Sequence, residues 1–275
     1  MDKNQPSRYR PISNLNNISK IIECIYLARI LPHVTTSSNF NPYQFVYRRN
    51  HSTETVLLFT FDSCFTAIDN GKSTILLSLD LSAAFDTIDH ITLINRLQNS
   101  FCITGAAFDW ISSYLADRRL FVRINQARST IRKTSAGVPQ WSVLGQILFS
   151  LYISPVAAIA RSHGIRQQQY ADNTKLFIEV STSDCEAGLL RLEEYIKNLH
   201  YWFCINGFAL NPDKTDAVVF GTHRRSKSHT AIDSINVAGV AIQPSNQVNL
   251  LDVVLDEKLV LTAHVDALWS DLFSH

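Results

Sequence analysis

The chain reads as an α+β fold, because strand and helix patterns mix along it without the regular alternation of a doubly wound sheet. Short runs rich in leucine and β-branched residues, such as 73–79 and 175–180, have strand character. Two runs are separated only by Ala171-Asp172-Asn173-Thr174. Asp and Asn suit a tight turn because their side chains bond their own backbone, so a hairpin is expected there.

The elements follow in order. Ile18 to Ile30 reads as a helix, with Ile18, Ile21, Ile22, Ile25 and Tyr26 near the helical period and Pro32 just past its end. A loop over 35–42 leads to a second helix, Thr53 to Ile68, stopped by the turn signal Asp69-Asn70-Gly71. Ser73 to Leu79 is a short buried strand. Helices through Ile91–Leu97 and Ala107–Leu115 come next, then a hairpin of Leu120–Asn125 and Ser129–Thr134. Residues 144–160 read as one helix bounded by Gly164. Beyond the central hairpin (167–170 and 175–180), Glu186 to Phe203 is strongly amphipathic. Leu189, Leu192, Tyr195, Ile196, Leu199, Trp202 and Phe203 share one face, and Asn206-Gly207 caps the helix. Strands are expected at Ala217–Phe220, near Ile235–Ile242, and at Leu250–Leu255.

Composition narrows the class. With 275 residues, 46% hydrophobic and 18% charged, the chain suits one large or two small globular domains. Five scattered cysteines without a Cys-x-x-Cys pair argue against zinc or a disulfide framework, and for reduced thiols inside a cell, in cytoplasm or nucleus. The polar N-terminus is no signal peptide. Gln146, Ser150, Ser154 and Pro155 interrupt the most apolar stretch, which fits a buried helix better than a membrane span. Net charge is only +1, yet residues 1–50 hold seven Lys and Arg against two acids, and residues 117–133 hold six against one. Such local patches suit a protein that grips phosphates at chosen places.

Asp80 ends a strand and Asp172 stands at a hairpin tip, 92 residues later. Carboxylates gathered in one pocket repel one another unless a cation joins them. Two Mg²⁺ ions held ~3.5–4 Å apart by such oxygens serve nucleotidyl transfer, and the protein need supply little covalent chemistry.

The spelling and order of the surrounding motifs resemble the reverse transcriptase domain of non-LTR (LINE-type) retrotransposons, over nearly the whole chain. Tyr9-Arg10-Pro11-Ile12-Ser13-Asn14-Leu15 is similar to a first fingers motif. Asn41-Pro42-Tyr43-Gln44, with Arg48 and His51-Ser52-Thr53-Glu54, resembles the second. Asp80 to His90 resembles motif A, Gly137-Val138-Pro139-Gln140 motif B, and Tyr170 to Asn173 the Tyr-x-Asp-Asp box of motif C. Asn206-Gly207 with Leu210 to Thr215 resembles motif D, and Asn249 to Asp256 the hairpin of motif E.

The resemblance implies a right-hand polymerase fold: fingers over about 1–72, palm with inserted fingers elements over 73–255, and the start of a thumb over 256–275, the thumb otherwise being absent. It implies an RNA-directed DNA polymerase with an RNA template, a DNA primer and deoxynucleoside triphosphates as partners. Asp80 and Asp172 would be Mg²⁺ ligands, with the Leu81 carbonyl as a further one. Phe85 would be the steric gate against the 2′-hydroxyl, disfavouring RNA synthesis. Gln140 would line the nucleotide pocket, Arg10 and Arg48 would contact the triphosphate, and Lys214 would protonate pyrophosphate. Asp86 and Asp89 are structural in this reading, Asp89 as a helix cap, and His51 and His90 make local hydrogen bonds.

The chain also departs from the pattern. Asn173 replaces the second aspartate of motif C, removing one negative charge. Trp141 stands where a glycine follows Pro-Gln, so an indole should crowd the pocket or displace Gln140. Asn50 and Asp252 replace two further glycines, and Gln146 a proline. The expectation is a persisting fold with impaired polymerase activity, the alternative being a catalytically inactive nucleic-acid-binding relic.

Overall fold

The computed structural model describes residues 12–46, 48, 50–181, 183–221 and 232–273. Arg10 and the start of the first fingers motif lie outside them. In chain order the elements begin with helices α1 (Asn17–Thr36) and α2 (Thr53–Asp69), then strands β1 (Ser73–Leu79) and β2 (Leu81–Ser82). Helices α3 (His90–Asn99) and α4 (Gly105–Leu115) precede four two-residue strands: β3 (Arg119–Leu120), β4 (Arg123–Ile124), β5 (Ala127–Arg128) and β6 (Arg132–Lys133). Then come α5 (Gly145–Ile153), α6 (Val156–Ser162), β7 (Arg166–Tyr170), β8 (Asn173–Val180) and α7 (Cys185–Ile205). The last part holds β9 (Ala209–Leu210), β10 (Asp216–Phe220), the pair β11 (Ile235–Val237) and β12 (Val240–Ile242), the pair β13 (Gln247–Leu250) and β14 (Val253–Asp256), and a helix at Thr262–Phe273.

These elements form two compact units. The first comprises the chain through Asn41, Ala83–Pro155 and Asn206–Phe208; the second comprises Pro42–Ser82, Val156–Ile205 and the chain from Ala209.

The second unit is built on an antiparallel sheet of order β10-β1-β8-β7. Its centre, β1, is buried at every position. Register puts Leu76 opposite Phe177 on one side and Val218 on the other, and these three join Val56 and Cys64 of α2 and Val248, Leu250 and Leu255 of the β13–β14 hairpin in one core. Burial pushes the Cys64 thiol up to about 12, as expected of a packed, inert cysteine. On the opposite face α7 packs against β8, and the Tyr195 hydroxyl donates to Gln167 Oε1 at 3.2 Å. The β7 edge is covered by the segment around Gln44: Gln169 N–H donates to the Tyr43 carbonyl at 2.8 Å, and Phe45 N–H to the Gln169 carbonyl at 2.9 Å.

In the first unit α5 is buried at every position but Gln146 and packs on α3. Arg96 of α3 donates to the Tyr152 carbonyl and to Asn206 Oδ1, its guanidinium lying 4.3 Å from the Tyr152 ring centre. The Tyr152 hydroxyl in turn donates to the Asn206 carbonyl at 3.0 Å. Asn206, expected as a helix cap and part of motif D, is thus also an anchor for the first unit.

Three sequence expectations are corrected. Helix α1 runs through Pro32 to Thr36, with the Thr35 hydroxyl donating to the Leu31 carbonyl at 2.7 Å and that of Thr36 to the Pro32 carbonyl at 2.9 Å. Its isoleucines 18, 21, 22 and 25 face out; Glu23, Tyr26, Ile30 and Val34 face in. The 144–160 stretch is two helices, because Pro155 has no N–H to continue the first. Leu250–Leu255 is a hairpin turning at Leu251-Asp252 and not one strand, in agreement with the hairpin that the motif E resemblance implies over Asn249 to Asp256. Asp89 does cap α3, accepting from Thr92 N–H at 2.7 Å. Among the described residues no helix is long and apolar enough to cross a membrane, and all five cysteines are free thiols.

Glu23 is the least expected of these residues, since it is fully buried. Its Oε2 accepts from Val143 N–H at 2.9 Å and from Leu144 N–H at 3.2 Å, just ahead of α5. Removing that acceptor leaves two amide donors without a partner. Glu23→Ala is therefore expected to lower stability by about 2–4 kcal/mol, and Glu23→Gln, which keeps one oxygen, by about half as much. Urea unfolding of the two variants checks the order.

Candidate active site

Within the second unit, the hairpin of β7 and β8 carries Ala171 and Asp172 in its turn, with Tyr170 opposite Asn173. Strand β1 lies beside β8, Leu79 opposite Thr174. One further step of that register sets Asp80 beside Asn173. On the other flank Ser78 faces Asp216 of β10, and the same extension sets Asp80 beside Lys214. The Lys214 Nζ is 3.8 Å from Asp80 Oδ2.

Local sequence explains how Lys214 arrives there. Leu210 pairs with Leu81, and Asn211 N–H donates to the Asp80 carbonyl at 3.0 Å, holding the two segments together. Pro212–Lys214 is a single 3-10 turn with proline at its start, where no N–H is needed. Thr215 closes it, its hydroxyl donating to the Asn211 carbonyl at 2.9 Å. The Lys214 side chain remains 70% exposed, free to swing in water, whereas that of Asp80 is only 22% exposed.

Lys175 is a functional candidate that sequence reasoning missed. It is buried on β8 opposite Ser78, and its ammonium donates to the Ser78 hydroxyl. Burial pulls its pKa down to about 8, while Asp216 and Asp80 hold it up against that pull. In sequence it is one lysine in a strand; only the register turns it toward the aspartates. The sheet end therefore carries Asp80, Asp172 and Asp216 with two ammoniums, Lys175 and Lys214, and a neutral Asn173.

Arg48, also in the second unit, donates to the Pro42 carbonyl. The register thus sets Asp80 beside Asn173 and the turn that carries Asp172, and the Lys214 ammonium within 3.8 Å of Asp80. Arg48 has a local backbone partner as well.

The first unit holds the remaining predicted residues. Phe85 is half-buried and stacks on the fully buried Phe149, ring centres 4.9 Å apart and planes 30° from parallel. Motif B is laced to this segment: Val138 N–H donates to the Phe85 carbonyl at 2.9 Å and Gly137 N–H to that of Ile88 at 2.8 Å. A Cβ on Gly137 would meet the Asp86 carbonyl oxygen at 3.0 Å, so glycine is required for this approach. His90 Nε2 lies 2.7 Å from the Gly137 carbonyl oxygen, the local bond expected of it. Gln140 Nε2 donates to both carboxylate oxygens of Asp86, each at 3.1 Å. Asp86 thus fixes Gln140, a structural part more specific than the sequence indicated.

Trp141 follows with φ +66° and its side chain 74% exposed. The indole is exposed while Gln140 keeps its bonds to Asp86, so of the two expected effects, crowding the pocket or displacing Gln140, the second is not seen here. Asn50 and Asp252, the other two replacements of expected glycines, have φ +63° and +67°. All three sit in the left-handed region that glycine enters without strain. Asn and Asp tolerate it; tryptophan does so at greater cost.

Magnesium prefers oxygen donors, and Asp80, Asp172 and the Leu81 carbonyl are of that kind. Among the described residues, however, no three His, Cys, Asp or Glu side chains gather as a metal-holding group. The donor chemistry fits the ion, and the neutral Asn173 weakens the fit.

Comparison with known proteins gives a consistent picture. Residues 1–252 match the family described as reverse transcriptase (RNA-dependent DNA polymerase). The chain is 30% identical over 267 residues to a probable RNA-directed DNA polymerase from transposon BS of Drosophila melanogaster, covering 95% of this chain and 29% of that protein. It is 30% identical over 270 residues to the corresponding protein of the X-element of the same fly, again 95% of this chain and 28% of that one. The chain thus spans less than a third of these curated relatives. Among solved structures it is similar in fold to apo telomerase from Candida tropicalis, with TM-score 0.55 at 11% identity, covering 89% of this chain and 40% of that one.

The left-handed backbone at Trp141 gives a direct test on the protein itself. Trp141→Gly is expected to raise stability by about 1 kcal/mol, because relief of the left-handed strain exceeds the entropy glycine adds to the unfolded chain. Asn50→Gly and Asp252→Gly should change it by a few tenths at most. Thermal or urea unfolding of the three single variants measures the difference.

Proposed function

Because the chain belongs to the reverse transcriptase (RNA-dependent DNA polymerase) family, we propose that it is the RNA-directed DNA polymerase domain of a non-LTR retrotransposon, impaired at Asn173 and Trp141. The observation that carries this reading is the register of β1 with β8, which sets Asp80 at the strand end beside the turn that holds Asp172. The proposed partners are an RNA template, a DNA primer and deoxynucleoside triphosphates. In the same reading residues of about 1–72 supply fingers, 73–255 the palm with inserted fingers elements, and 256–275 begin a thumb.

Asp80 and Asp172, with the Leu81 carbonyl, would hold Mg²⁺, which when bound would acidify the primer hydroxyl and neutralise charge on the leaving pyrophosphate. Lys214 would donate a proton to that pyrophosphate; its exposed stem lets it reach a ligand and return to Asp80. Phe85, braced by Phe149, would present a rigid ring edge to the sugar C2′. Gln140, its amide oriented by Asp86, would wall the nucleotide. Arg10 and Arg48 would balance triphosphate charge. The loss at Asn173 is one of charge, and the loss at Trp141 is one of backbone freedom next to Gln140.

In Mg²⁺-dependent extension of a DNA primer on an RNA template, the double variant Trp141→Gly, Asn173→Asp is expected to outpace the parent chain by about 100-fold. A folded double variant, supplied with a thumb, that stays as silent as the parent sinks these role assignments.

A second reading, nucleic-acid binding without turnover, is favoured by the ribbon of β3 to β6. Arg119 pairs with Lys133, Leu120 with Arg132, and Arg123 with Arg128. The pairs set Arg119 beside Lys133 and Arg123 beside Arg128 along an exposed ribbon, with Arg132 beside Leu120. The Arg128 guanidinium lies 3.7 Å from the Phe121 ring centre. A cationic ribbon with an aromatic ring suits a single strand, phosphates on the arginines and a base on the ring. Replacing Arg119, Arg123 and Arg128 by Gln should reduce the slope of log K against log salt for a single-stranded oligonucleotide by about 2. An unchanged slope removes the ribbon from the binding surface.

A further inference from the structure

We propose that Lys175 is a built-in counter-cation of the carboxylates at the sheet end, carrying charge that a divalent ion would otherwise supply and so weakening this chain's hold on metal there. The inference rests on the reading of Asp80 and Asp172 as metal ligands.

Geometry carries it. Lys175 sits on β8 directly across from Ser78 of β1, two residues before Asp80, and Ser78 in turn faces Asp216 of β10. The three side chains therefore form one row across the sheet, next to the row that holds Asp80 and Asn173. Gln168 of β7 completes the Lys175 row on the other flank. Lys175 as a residue is only 6% exposed, and an ammonium so buried is retained only where partners replace its water. Here the partners are the Ser78 hydroxyl, to which it donates, and the fields of Asp216 and Asp80.

The two lysines differ in kind. Lys214 is tethered to Asp80 but largely in solvent, so it can leave when a cation arrives. Lys175 cannot leave, because its stem is locked in the strand and its ammonium is buried. A divalent ion entering beside Asp80 meets a fixed positive charge that salt screens little at such burial. With Asn173 adding no charge, two independent features act in the same direction.

The test is Mn²⁺ binding to the 275-residue chain, followed by the electron paramagnetic resonance of the free ion, so that no turnover is needed. Lys175→Gln is expected to tighten Mn²⁺ by about tenfold, and Asn173→Asp by a similar factor. Asp80→Asn placed on Lys175→Gln should abolish the gain, which ties the ion to this site. Lys175→Met, of similar length and neutral, serves as a second variant, and circular dichroism verifies the fold of each. If Asn173→Asp tightens the ion while the folded Lys175 variants keep parental affinity, the counter-cation inference is overturned and the metal site stands. If none of the substitutions moves the affinity, the metal-ligand reading fails and the inference falls with it.

Discussion

The antiparallel pairing of β1 with β8 is the constraint on which the second unit depends. It joins two segments about a hundred residues apart and makes β1 the only strand of its sheet flanked by both β8 and β10. A slip of one residue would exchange the two faces of β1, since side chains alternate with period two. Ser78 and Asp80 would then turn toward the side covered by α7, and the Lys175 ammonium would lose the hydroxyl and the carboxylates beside it. Both faces of β1 are lined with aliphatic residues, so hydrophobic patterning alone would specify this register weakly. The polar row of Ser78, Lys175 and Asp216 supplies the discrimination that the leucines cannot.

That row also marks where the sequence stops being informative. The hairpin, β1, α2, α7 and the Asp89 cap were legible because each depends on neighbours in the chain: periodicity, a turn pair, a capping residue. Lys175 was not, because a lone lysine in a strand looks the same whether it faces water or a carboxylate. Glu23 failed for a related reason. A glutamate among isoleucines gives no sign of burial, because the amides that need it lie some 120 residues later. The α1 isoleucines follow the helical period yet face out, while the acid among them is buried with partners far along the chain. The break at Pro155 could have been read from the sequence by giving proline its full weight.

The motif residues were legible as a set and only partly as parts. Order and spelling placed Asp80, Phe85, Gln140, Asp172 and Lys214 in one scheme. Their supports emerged from the structure: Phe149 behind Phe85, Asp86 behind Gln140, Asn211 behind the Asp80 backbone. Each is a neighbour that orients a side chain, and such neighbours leave no spacing rule in a sequence.

The three positions where the resemblance implies glycine show what the backbone tolerates. Asn50, Trp141 and Asp252 all keep the left-handed backbone that glycine would have taken at no cost. Even if each costs about 1–2 kcal/mol, the sum is smaller than the stability of an ordinary domain. The strain is spread over separate turns, none of them in the β1–β8 ladder, so packing can absorb it. Charge at the sheet end is different. A carboxylate exchanged for a carboxamide at Asn173 changes no packing volume and breaks no strand pairing. It removes one full unit of charge from a place where ammoniums already offset the remaining carboxylates. Hydrophobic burial, which stabilises the sheet, has many contributors and loses little when one changes; electrostatic affinity for a small cation has few, and one substitution is a large fraction of it. Under the proposed function, the charged positions of the sheet end are therefore those whose substitution the fold registers least.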